Sequence, residues 1–161
     1  MARILAKFIP SSAERITKLR QTREWLDIEL DSLEEQYGEF QSITVIHIPP
    51  YQSGLTEEME FVYGERNESV CEAGYDSGLF DALKEKGTCQ AVYYGHDHVN
   101  DFCAIYDGVY LVYSQCGGYE TYTIEEKTGW GEKDWIQGVT ITDIEPDGTF
   151  DISPRYNRMY L

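Results

Sequence analysis

Basic charge and histidine are both scarce in this chain: 13 lysines and arginines stand against 29 acidic residues, and there are only three histidines, in a sequence with a formal charge of −16. The shortage of basic residues excludes a phosphate-backbone partner, because nucleic-acid binding runs on lysine and arginine stripes that release counterions. No apolar run approaches the ~20 residues of a membrane-spanning helix, which argues against a membrane partner. The stretch Met1 to Pro10 carries Arg3 and Lys7 within its apolar residues and is too short for a signal h-region. The chain therefore reads as soluble and without a secretion signal, its compartment open. Four cysteines, Cys71, Cys89, Cys103 and Cys116, are neither paired as CxxC nor dense enough for a disulfide scaffold. They read as free or buried thiols, with one disulfide open in an oxidising compartment. There is no low-complexity tract, internal repeat or linker, so residues 1–161 read as a single domain.

What is present is material for a core: 42% of residues are hydrophobic, and 13 are tyrosines, which suit sheet faces and cleft rims because the hydroxyl can stay wet. Ser11-Ser12-Ala13-Glu14 fits a capping box and predicts a short helix. A stronger one is expected after Thr22, with Leu26, Leu30, Leu33 and Tyr37 on one face and Gly38 as its stop. Ser42 to Ile46 reads as a strand ended by His47 and Pro49-Pro50. Tyr51 to Tyr75, with no clean period, reads as a long functional loop. A helix from Ser77 to Gly87 and a strand from Cys89 to Tyr94 follow. Asp107-Gly108 marks a tight hairpin within Ala104 to Tyr113, and a second antiparallel pair is expected at Val139 to Ile144 and Thr149 to Ile152. The sum is an α/β (α+β) fold with a mixed sheet and a β-rich C-terminal region.

The chemistry concentrates at Gly95-His96-Asp97-His98, directly after an apolar strand. Side chains two apart in an extended segment leave the backbone on the same side, so His96 and His98 project together while Asp97 points away. His47 closes the other apolar run. Strand ends are where an open α/β sheet places its ligands, and neutral imidazole suits Zn, Fe, Mn or Ni. Three further residues are candidates: Arg66 as a phosphate contact or surface ion-pair partner, and Asn100 and Asp101 as groups that orient an imidazole N–H or simply form a turn. Tyr119 and Tyr122 read as cleft rim or core, and Trp130 and Trp135 are given no chemistry.

Val45-Ile46-His47-Ile48-Pro49, followed by Tyr94-Gly95-His96-Asp97-His98-Val99-Asn100-Asp101-Phe102, resembles the C-terminal half of the calcineurin-like metallophosphoesterases. Within that superfamily it looks most like the fungal and protist phosphatases related to purple acid phosphatases. Tyr63-Gly64-Glu65-Arg66, Asp76-Ser77-Gly78-Leu79-Phe80 and Gly117-Gly118-Tyr119 share in the likeness, which covers about residues 22–130. The resemblance implies two packed sheets flanked by helices and a dinuclear centre of Fe, Zn or Mn. In it His47 and His96 would hold the second metal and His98 the first, with Asp97 in the same loop but not a ligand. It also implies a phosphomonoester substrate, attacked by water that the two metals activate.

The family's N-terminal motifs, Asp-x-His, Gly-Asp-x-x-Asp and Gly-Asn-His-Asp/Glu, are absent, and with them the bridging aspartate and the general-acid histidine. Two divalent charges without anionic ligands assemble weakly, so one or two loosely held metals are expected. The chain reads as the C-terminal half of a longer phosphatase with impaired or no activity alone. A half sandwich further predicts exposed apolar surface, oligomerisation or a complementing N-terminal half. The competing class is a non-catalytic metal- or partner-binding module on the same fold. A third reading places His47, His96 and His98 on one zinc with Glu65 as base.

Overall fold

The computed structural model describes residues 3–6, 15–117, 122 and 138–156. Two apolar runs, each ending at a histidine, lie side by side within a six-stranded mixed sheet. Strands β1 (Arg3–Ala6), β2 (Ser42–Val45), β3 (Glu60–Tyr63), β4 (Cys89–Tyr94), β5 (Cys103–Tyr106) and β6 (Val109–Tyr113) are ordered β1-β2-β4-β6-β5-β3. The first four in that order run parallel, and β5 pairs antiparallel with both β6 and the edge strand β3. Strand β4 is the buried centre: Ala91, Val92, Tyr93 and Tyr94 are all buried. Its odd and even side chains serve opposite faces, as the pleat requires.

One face carries helices α1 (Arg15–Tyr37) and α2 (Leu79–Glu85). Leu26 and Leu30 of α1 and Phe80 and Leu83 of α2 pack on Val92, Tyr94, Leu111 and Tyr113. Arg23–Glu85 (3.0 Å) and Lys86–Asp31 tie the helices together at the surface. The opposite face is smaller. Ala91, Tyr93, Cys103 and Val112 are covered by Phe150 and Ile152 of a hairpin formed by β7 (Gly138–Ile144) and β8 (Phe150–Tyr156). The Tyr93 hydroxyl meets Thr142 Oγ1 at 2.5 Å and the Tyr110 and Phe150 rings stand edge to face. The mixed α/β sheet and its β-rich end are as expected.

Several expectations are corrected. The helix is not interrupted near Thr22: it runs unbroken over Arg15–Tyr37, and Gly38, at φ +71°, ends it where expected. Ser11 to Glu14 lie outside the described residues. The loop from Tyr51 to Tyr75 contains two 3-10 turns and strand β3. That strand escapes a pattern search because it lies at the sheet edge with Phe61 58% and Val62 47% exposed, so no inward face imposes a period. β2 is also less buried than its apolar run suggests, with Val45 exposed. The Asp107-Gly108 hairpin has φ positive at both residues (48° and 82°), as a type I′ turn demands.

Candidate metal centre

The parallel register places the ends of β2 and β4 together. Ile46 N–H donates to Tyr93 O (2.9 Å) and Gly95 N–H to His47 O (3.2 Å), so pairing continues past both strands until the histidines are reached. The His47 and His96 rings lie 5.2 Å apart at 76°. His96 has φ +86°, a left-handed conformation that a histidine adopts only when its surroundings hold it there. These two predicted ligands are therefore brought together at the carboxyl edge of the parallel strands.

His98 goes elsewhere. Its ring stacks on Tyr122 (centroids 4.9 Å, 19°), while its backbone N–H donates to the Tyr122 hydroxyl (3.1 Å), which itself donates to Glu68 Oε1 (2.7 Å). Burial, and then the Glu68 carboxylate, push the Tyr122 hydroxyl up to about 12, so it stays a donor at neutral pH. Tyr122 thus forms part of the site's rim. Tyr119, Trp130 and Trp135 lie outside the described residues.

Asp97, Asn100 and Asp101 are buried. Asp97 Oδ2 accepts the Cys71 backbone N–H (2.8 Å) and the Tyr113 hydroxyl (2.5 Å), and that hydroxyl accepts the Asp97 N–H (2.9 Å). Burial, and next the facing Asp97 carboxylate, push the Tyr113 hydroxyl well above the usual tyrosine range, so it too remains a donor. Asn100 Oδ1 accepts from the backbones of Asn67 (2.9 Å) and Glu68 (3.0 Å). Asp101 Oδ1 accepts from Glu65 N–H (2.9 Å). All three side chains hold the 65–71 segment against the histidine loop. Gly64 makes that approach feasible, since a Cβ there would lie 1.9 Å from Asp101 O. Arg66 donates to Thr56 Oγ1 (2.6 Å) and borders a hollow of about 260 Å³ with Met59, Phe61 and Phe102.

Among the described residues, one group of three brings metal-ligating atoms within 4.8 Å of one another: Cys71, His96 and Asp97. Sequence reading missed Cys71, which has no motif around it and comes to His96 only through its backbone bond to Asp97. None of the four cysteines is in a disulfide, and Cys89 and Cys103 are buried.

Two proteins of Arabidopsis thaliana are similar to this chain. One named probable inactive purple acid phosphatase 14 is 32% identical over 129 residues, 80% of this chain and 30% of that protein. A second, named probable inactive purple acid phosphatase 29, is 35% identical over 95 residues, 59% of this chain and 24% of that protein. The chain is similar to purple acid phosphatase-like proteins. That likeness supports a metallophosphoesterase-related family. The chain spans less than a third of the length of these curated relatives. No protein-family model and no solved structure matches.

Such a family uses metal, and the imidazole pair is compatible with one ion. With metal–nitrogen bonds of about 2.1 Å and ring centres about 1.2 Å further back, two imidazoles on one ion have centroids about 4.7–5.4 Å apart. The 5.2 Å between His47 and His96 falls within that interval.

Proposed function

We propose that these residues form the C-terminal part of a metallophosphoesterase-type centre, holding one metal ion through His47 and His96 and not hydrolysing phosphomonoesters by themselves. The observation that carries this is the delivery of two imidazoles, 5.2 Å apart, from adjacent parallel strand ends. A bound Zn, Fe or Mn would supply Lewis acidity toward a phosphoryl oxygen. What the chain's own residues do is position: Asp97, Asn100 and Asp101 pin the loop that carries His96, and Tyr122 packs against His98. The name "probable inactive" borne by the plant relatives supports a module of this kind. So does the histidine count: with His47 and His96 on the metal and His98 stacked on Tyr122, no further histidine is present to protonate a leaving group.

The fuller reading is also proposed: a single domain, a phosphoester substrate served together with N-terminal carboxylate ligands, and kinship with the fungal and protist branch. The direct test is metal content by mass spectrometry, with hydrolysis of p-nitrophenyl phosphate in Mn, Zn or Fe. At most about one metal per chain, lowered in His96→Ala, and no turnover are expected. Two metals per chain and a turnover lost in His96→Ala would overturn it.

A further inference from the structure

We infer that Cys71, His96 and Asp97 form a second, thiolate-containing ligand set that takes a zinc-class ion. This deepens the metal-binding reading and rests on it only through the shared His96.

The ligand atoms of these three residues already lie within 4.8 Å of one another. Around a tetrahedral zinc, with bonds of about 2.0–2.3 Å, ligand atoms sit about 3.3–3.8 Å apart. The required contraction is at most about 1.5 Å for any pair, within reach of side-chain rotation by Cys71, which is exposed. Asp97 holds the set together from beneath. It is 6% exposed, and Oδ2 takes both the Cys71 backbone N–H and the Tyr113 hydroxyl. A nearly buried carboxylate beside an imidazole and a thiol has the donor chemistry of a cation site.

Thiolate sets the choice of metal. Soft sulfur favours Zn(II), and with it Cd(II) and Co(II), over Mg(II) or Mn(II), which prefer oxygen ligands. Three protein ligands leave a fourth position for water or another small ligand, as in sites that exchange ligands rather than closed structural ones. The neighbouring His47 ring lies 5.2 Å from that of His96. His96 therefore belongs to two candidate sets, one imidazole and one thiolate.

The test is titration of the full chain with Co(II), followed by absorbance, for wild type, Cys71→Ser, Cys116→Ser and His47→Ala. A near-ultraviolet thiolate-to-cobalt band is expected in wild type, Cys116→Ser and His47→Ala, and absent from Cys71→Ser. Zn(II) affinity by competition should fall about a hundredfold in Cys71→Ser and protect Cys71 from alkylation in wild type. Cys71→Ser should unfold in urea as wild type does, since its side chain is exposed. Cobalt bound without the thiolate band, and equally in Cys71→Ser, would overturn this inference while leaving the His47/His96 reading standing. No cobalt bound by any form would overturn both.

Discussion

The two sides of the loop after β4 differ in what their polar residues do. On the inner side Asp97, Asn100 and Asp101 are nearly inaccessible, and their oxygens are bonded to backbone amides of Glu65, Asn67, Glu68 and Cys71. On the outer side His96 faces His47 across 5.2 Å and His98 lies flat on Tyr122. The inner groups act as clamps, with Asp97 also a ligand in the set inferred above, and the outer ones pack ring against ring. A motif that reads as one run of chemistry is thus split: its acids and amide hold the neighbouring backbone, and its imidazoles meet other rings. Removing an inner group should unfold or loosen the site, and removing an outer one should change binding with little effect on the fold.

The sharpest way to break that contrast is Gly64→Ala. The new Cβ would meet Asp101 O at 1.9 Å and Phe102 Cα at 2.7 Å, both backbone, at φ +91°. A loss of about 3–5 kcal/mol is expected in urea unfolding. Stability within 1 kcal/mol of wild type would show that the two segments need not touch.

Next in size is Tyr113→Phe, which deprives the buried Asp97 carboxylate of a donor and its N–H of an acceptor, at about 1–3 kcal/mol. It also carries a pH signature. Burial raises the folded-state pKa of Tyr93, Tyr94, Tyr113 and Cys103, the last to about 12. In the unfolded chain these groups ionise near 9–10, so there the unfolded state binds fewer protons and stability falls as pH rises. Their contribution is complete below about pH 8.5 and declines from there through about 12. Urea midpoints at pH 8 and pH 11 should differ in that direction, and by less in Tyr113→Phe. A midpoint that rises with pH contradicts the buried-tyrosine account.

The smallest effect belongs to the outer side. His96→Gly should match or exceed wild-type stability by up to about 1 kcal/mol, because glycine accepts φ +86° without strain, whereas His96→Ala should not. Equal stability of the two variants would mean that His96 is not strained.

Legibility in the sequence followed burial. β4 and α2 were readable because their apolar residues lie on buried faces, and the β5–β6 hairpin because Asp107-Gly108 has few alternatives. β3 was not, since an edge strand with outward Phe61 and Val62 carries no inward pattern. His47 and His96 were expected as strand-end ligands, and the structure sets their rings 5.2 Å apart. Cys71 and Tyr113 were not seen as part of the site. A thiol in an irregular loop and a tyrosine ending a strand look ordinary until tertiary packing sets them around Asp97.

The same edge strand has a consequence for how the chain behaves among copies of itself. Among the described residues β3 pairs with β5 alone and forms the rim of the sheet, with Phe61 and Val62 exposed on it. Glu57, Glu58 and Glu60 stand at its entrance, within a chain of charge −16. Mutual repulsion is then the gatekeeper that keeps one rim from templating another. Acidification toward the isoelectric point near 4.4 would remove that gatekeeper first.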